Sequence, residues 1–164
     1  MRRLELVIAF TIVVADQWTK SLVRGRLELH DSIEVVAGWL SLTRVHNTGS
    51  AFGMLNAADF PFKTVLLMLV AGGALAGVAW YAASLPDSNR VARAGIAGVL
   101  GGAVGNLIDR ATAGYVLDFV DAYWGTWHFW AFNVADAAIS VGVVLMLFDV
   151  ALEFLGYRRA PNPA

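Results

Sequence analysis

Four stretches of apolar residues, separated by charged and turn-forming positions, organise the 164-residue chain. A hydrocarbon core of about 30 Å takes roughly 20 helical residues to cross, and spans are expected near residues 4–23, 61–83, 91–110 and 132–156. The first is uninterrupted only from Leu4 to Ala15, so a helix that crosses there must carry Asp16 and Lys20. These lie at i and i+4 on one helical face, where pairing lowers the cost of holding either charge near lipid. Snorkelling to the outer end is the simpler alternative for Lys20. Arg2 and Arg3 ahead of an apolar run, with Val13 and Ala15 following, also suit a cleaved leader. Because three more spans follow, the first helix is expected to be retained.

The intervening segments differ in character. "IEVVAGWLSLTRVHNTGSAF" (33–52) is rich in β-branched and aromatic residues and broken by Gly38 and by Asn-Thr-Gly at 47–49, which predicts short strands with a turn. The segment 111–131 is shorter and acidic, carries Asp118 and Asp121 among aromatics, and leads as a loop into the fourth span.

Within the spans the polar positions are patterned. On the third, Ala94, Gly98, Gly102, Asn106 and Arg110 recur every four residues beside Gly101 and Gly105, a small-residue stripe suited to close helix packing that ends in an amide and a guanidinium. On the fourth, Asn133, Asp136 and Ser140 share a face. Asp136 alone would be an ordinary helix-start acid. It has company, however: Asn106, Asp109, Arg110, Asp118, Asp121 and Asn133 gather toward the same end of the bundle. Polar groups at membrane depth are functional candidates by default.

Composition agrees with an integral membrane protein: 58% of residues are hydrophobic, 15% are charged and the mean hydropathy is +0.61, against about 45–50% apolar and 25% charged in soluble domains. The formal net charge of −1 gives no reason to expect a nucleic-acid partner. With no cysteine, thiol nucleophiles, disulfides and cysteine-ligated metals are excluded. Basic residues set the orientation. Arg2, Arg3, Arg90, Arg93, Arg158 and Arg159 fall in tails and one short loop, while Lys20, Arg24, Arg26, Arg44, Lys63 and Arg110 are spread over longer segments. The denser group predicts both termini in the cytoplasm. Trp18, Trp39, Trp124, Trp127 and Trp130 then form an outer aromatic belt, with Trp80 near the inner surface.

Which chemistry fits? His30, His46 and His128 are scattered and no H-E-x-x-H occurs, so no metal or other cofactor is expected. Ser50 near His46 is a weak nucleophile signal. Two carboxylates sharing a proton are better supported: one activates water while the protonated partner polarises a carbonyl. Spacing leaves open whether Asp118 or Asp121 faces Asp136, and whether Asp109 pairs with Arg110 or another cation.

The blocks "DQWTK" (16–20), "HNTGSAF" (46–52), "GGAVGNLIDR" (101–110), "VLDFVD" (116–121) and "FNVADAAISVG" (132–142) resemble, in order and over essentially the whole chain, those of the bacterial lipoprotein signal peptidases, also called signal peptidase II. The resemblance implies a four-span aspartic endopeptidase that cleaves prolipoproteins just before a diacylglyceryl-modified cysteine. It assigns Asp118 and Asp136 as the catalytic pair, and Asn47, Asn106, Arg110 and Asn133 as supporting or substrate-orienting residues. Asp16 and Lys20 match the first-helix block as structural groups or neighbours of a lipid-binding groove. Ser50, where alanine is common, and Ile108, where Tyr or Val also occur, are mild departures.

The full expectation is a single membrane-embedded domain over 1–164, mainly α, with a small extracytoplasmic β platform within 24–60 and a second extracytoplasmic loop, 111–131, over the active site. It is a monomer in the bacterial inner membrane, in contact with membrane lipids and lipid-modified prolipoproteins, with its active site near the extracytoplasmic face. A small proton- or cation-coupled transporter using Asp16, Asp118 and Asp136 is the alternative.

Overall fold

The computed structural model describes residues 2–49 and 60–156. Four helices, α1 (Arg3–Arg26), α2 (Lys63–Ser84), α3 (Arg90–Ala113) and α4 (Val134–Phe154), are each long and apolar enough to cross a membrane. Local chemistry sets their ends. Asn133 caps α4: its side-chain oxygen accepts from the Asp136 N–H while the Asp136 carboxylate accepts from the Asn133 N–H, a reciprocal box that satisfies two otherwise orphaned donors. Gly114, at φ +80°, closes α3 with its N–H on the Arg110 carbonyl, a left-handed conformation that costs other residues energy.

The central helix is α3, which packs against the other three. Its glycines serve two different neighbours. A methyl at Gly98 or Gly102 would meet the backbone carbonyls of Ala138 and Ala135 on α4, while one at Gly101 would meet the Ala9 carbonyl of α1 at 2.8 Å. Side chains removed along two stripes let two helices close on α3 at backbone distance. The lipid-facing surfaces carry exposed apolar residues, among them Phe10 on α1, Leu69 and Val70 on α2, and Val144 and Leu147 on α4.

At one end of the bundle lies a four-stranded antiparallel sheet, β1 (Ser32–Val36), β2 (Leu40–Asn47), β3 (Val116–Trp124) and β4 (Trp127–His128), in that spatial order. Gly38, at φ +77°, turns the β1–β2 hairpin. The segment expected as a loop before the fourth span thus supplies two strands. Its run VLDFVDAYW has the β-branched and aromatic content of a strand, and it pairs with the edge of β2 that the hairpin leaves free. A bulge on β2 between Leu42 and Val45 shifts the register, after which Val45 faces Asp118 and Asn47 faces Val116.

A sheet needs a hydrophobic face or a helix to pack against. Here Leu117 and Phe119 of β3 pack with Val23 and Leu27 at the end of α1, and burial of each contributes roughly 1.5–3 kcal/mol. That anchor fixes the start of β3 against the bundle. At the opposite end Arg93 of α3 binds Glu5 of α1 at 2.5 Å and the Leu85 carbonyl at 2.8 Å, while Arg2 pairs with Asp87.

Candidate active site

The bundle end that carries the sheet also gathers the polar residues of three helices. Asp118 projects from β3, where the strand passes the start of α4, and Asp136 sits in the first turn of α4. Asp118 is 3% exposed, and Asp136 is half-buried. Burial pushes the Asp118 carboxyl up to about 7, the negative charge of Asp136 pushes the same way, and hydrogen bonds from Asn47 and Asn133 oppose both. One proton held by such a pair at neutral pH is the arrangement that two-carboxylate chemistry requires.

Three asparagine amides hold the two carboxylates. Asn133 Nδ2 donates to Asp118 Oδ1 at 2.7 Å, Asn47 Nδ2 to Asp118 Oδ2 at 3.0 Å, and Asn106 Nδ2 to Asp136 Oδ1 at 2.7 Å. Each amide oxygen is in turn fixed by a donor: Asn47 by the Gly49 N–H at 3.0 Å, Asn133 by the Asp136 N–H at 2.9 Å, and Asn106 by Lys20 Nζ at 3.0 Å. An amide whose oxygen is occupied by an N–H can only turn its own N–H groups toward the acid. Asn133 Nδ2 also reaches the Asn106 oxygen at 3.2 Å, linking the two halves.

Asp16 and Lys20 pair at 2.8 Å, both without exposed surface, so Lys20 does not snorkel. Asp109, left between Arg110 and another cation by its spacing, binds Lys20 at 2.9 Å and Arg24 at 2.8 Å and accepts from the Leu117 backbone N–H at 3.1 Å. Of the two partners its spacing allows, Asp109 thus takes other cations, Lys20 and Arg24, rather than Arg110. Arg110 donates to the Gly49 carbonyl at 2.9 Å, bracing the turn that carries Asn47.

Asp121 takes a different place. Three residues from Asp118 along one strand, it points to the other face, where its carboxylate meets His128 Nδ1 at 3.0 Å. His46 stacks on Tyr115 with ring centres 3.7 Å apart; Ser50, its candidate partner, lies outside the described residues, as do Arg158 and Arg159. Among the described residues no three His, Asp or Glu side chains are grouped to hold a metal ion.

Similarity to known proteins bears on the same residues. A family model described as "Signal peptidase (SPase) II" matches residues 8–152. The lipoprotein signal peptidase of Symbiobacterium thermophilum is 43% identical over 91% of this chain and 95% of its own length. That of Geobacter sulfurreducens is 44% identical over 91% of each. Two solved bacterial membrane enzymes, determined in meso at 2.3 and 1.9 Å resolution, superpose with TM-scores of 0.82 and 0.76. Their identities are 27% and 26%, over 97% and 89% of this chain and 94% and 91% of theirs.

Proposed function

The chain belongs to the signal peptidase II family, multi-pass membrane peptidases that remove signal peptides from lipoproteins, and on that premise we propose that it does so as an aspartic endopeptidase with Asp118 and Asp136 as its catalytic pair. The observation that carries this reading is the buried Asp118 carboxyl beside Asp136, each acid held by amides that cannot turn away.

In the resting site the pair shares one proton. The ionised carboxylate takes a proton from a water molecule as the water oxygen attacks the scissile carbonyl carbon, and the protonated partner gives its proton to the carbonyl oxygen. When the tetrahedral intermediate collapses, the C–N bond breaks, the leaving amine takes a proton from one acid and the other acid takes back a hydroxyl proton of the intermediate, which restores the singly protonated pair. Rigid donors around both acids keep this geometry from relaxing between steps. Asn47, Asn106 and Asn133 orient the carboxylates, and Arg110 braces the Asn47 turn.

The substrate is a prolipoprotein cut just before its diacylglyceryl-modified cysteine. Acyl chains held in lipid keep the scissile bond at the depth of the bundle end, where the dyad lies. Trp18, Trp39, Trp124, Trp127 and Trp130 are all strongly exposed, which suits an interfacial belt. With both termini cytoplasmic, the dyad faces the extracytoplasmic side of the inner membrane. The enzyme works as a monomer in contact with membrane lipids, and the sheet with the segment before α4 closes over the bound peptide. A transporter would want titratable groups through the membrane; residues 137–148 of α4 and 94–105 of α3 carry none.

The test is cleavage by purified protein of one prolipoprotein with and without its diacylglyceryl group. Release of the signal peptide from the modified form alone supports this substrate. Equal cleavage of both forms overturns it.

A further inference from the structure

Lys20 has no exposed surface. Removing an ammonium from water costs several kcal/mol unless every N–H is matched, and here all three are: Asp16 Oδ2 at 2.8 Å, Asp109 Oδ2 at 2.9 Å and Asn106 Oδ1 at 3.0 Å. A single salt bridge along α1 would have needed only the first. Each of the three partners reaches the dyad or its immediate backbone. Asp16 Oδ1 accepts from the Ala135 N–H at 3.0 Å, one residue before Asp136. Asp109 Oδ2 accepts from the Leu117 N–H at 3.1 Å, one residue before Asp118. Asn106 donates directly to Asp136 at 2.7 Å.

We infer that Lys20 is a positioning residue for the peptidase reaction: one ammonium, held between α1 and α3, fixes through Asp16, Asp109 and Asn106 where Asp118 and Asp136 stand relative to each other and which end of the Asn106 amide faces Asp136. This rests on the aspartic reading above. The dyad belongs to two elements, β3 and α4; Asp16 of α1 holds the α4 backbone, Asp109 of α3 holds the β3 backbone, and Lys20 ties the two together.

Loss of the ammonium has two consequences. The Asn106 oxygen loses its charged donor and keeps only the longer Asn133 Nδ2 contact at 3.2 Å, so the amide turns its oxygen more readily toward Asp136, a contact that suits the protonated acid and opposes the carboxylate. The anchors at Ala135 and Leu117 also lose the charge that holds them together. The charged groups that face the ammonium are Asp16 of α1, Asp109 of α3, Asp118 of β3 and Asp136 of α4, with Arg24 of α1 on the far oxygen of Asp109 and Arg110 of α3 facing Asp109, Asp118 and Asp136.

The experiment is steady-state cleavage of a diacylglyceryl-modified prolipoprotein by Lys20→Met, counted per folded molecule, across pH. The expected result is a kcat lower by about 10–10²-fold, KM within about twofold, and an acid limb of kcat moved to higher pH by roughly one unit. If Lys20→Met does not fold, Lys20→Met/Asp109→Asn removes one positive and one negative charge together and is expected to show the same kcat loss and shift. A folded variant of either kind with kcat within threefold of the parent and an unmoved acid limb overturns the inference. Asp118→Asn and Asp136→Asn run alongside separate the failures: if they are inactive while the Lys20 variants work normally, the positioning role fails and the dyad stands; if they are active, the dyad itself fails.

Discussion

A carboxyl closed off from water keeps its proton to higher pH, and Asp118 is such a group, raised to about 7 by burial first and by Asp136 second. Activity that depends on one shared proton is expected to fall as pH rises through about 7, which a pH profile of kcat checks. Stability follows the same linkage. The native state binds this proton more tightly than the unfolded chain, so its contribution is full at low pH and disappears as pH rises from about 4 through about 7. Asp118→Asn lacks that loss, so its melting temperature should gain on the wild type between about pH 5 and pH 8; a constant difference contradicts the shift. Asp121→Asn, which touches only the His128 side of the sheet, should leave turnover within about twofold. Strand parity separates the two acids, and it was not legible while 111–131 was read as a loop. Asp16 with Lys20 was legible from i,i+4 spacing. Asp109 was legible as a member of the polar cluster with a cation partner, but not which one, because its partners come from α1 and the β3 backbone, contacts that no local pattern encodes.

At the level of elements, the helices were the easy part: long apolar runs leave little choice, and the expected bounds fall within a few residues of those observed. The glycine periodicity of α3 correctly signalled close packing, but two adjacent stripes on one helix do not say that one faces α4 and the other α1. The contrast with α2 is testable. A methyl at Gly102 meets the Ala135 carbonyl and Ile139, whereas one at Gly73 meets nothing within 4 Å. Gly102→Ala should cost about 1–3 kcal/mol and lower the melting temperature in detergent by roughly 2–10 °C. Gly73→Ala should be neutral or stabilising by about 0.4–1 kcal/mol, because it restricts only the unfolded chain. Equal effects at both positions would contradict the packing.

For the whole molecule, the four-helix frame and a small sheet were readable from hydropathy and β-branched content, but the sheet's final width was not. β3 pairs with β2 across more than 60 residues of intervening chain, and its register depends on the bulge on β2. The sidedness proposed from the basic residues is open to direct measurement. The chain has no cysteine, so Ser32→Cys at the start of β1 and Ser88→Cys in the α2–α3 connection are each a unique thiol on an exposed position. A membrane-impermeant maleimide added to intact spheroplasts should label Ser32→Cys and spare Ser88→Cys; the reverse pattern would turn the protein over.

The aspartic mechanism rests on the proposed dyad, and one comparison tests it most directly. Purified wild type, Asp118→Asn and Asp136→Asn, each shown to be folded by its melting transition, are given the same diacylglyceryl-modified prolipoprotein in lipid. Both variants are expected to lose roughly 10³-fold or more in kcat with substrate still bound. Near-normal turnover by either folded variant would contradict the catalytic pair.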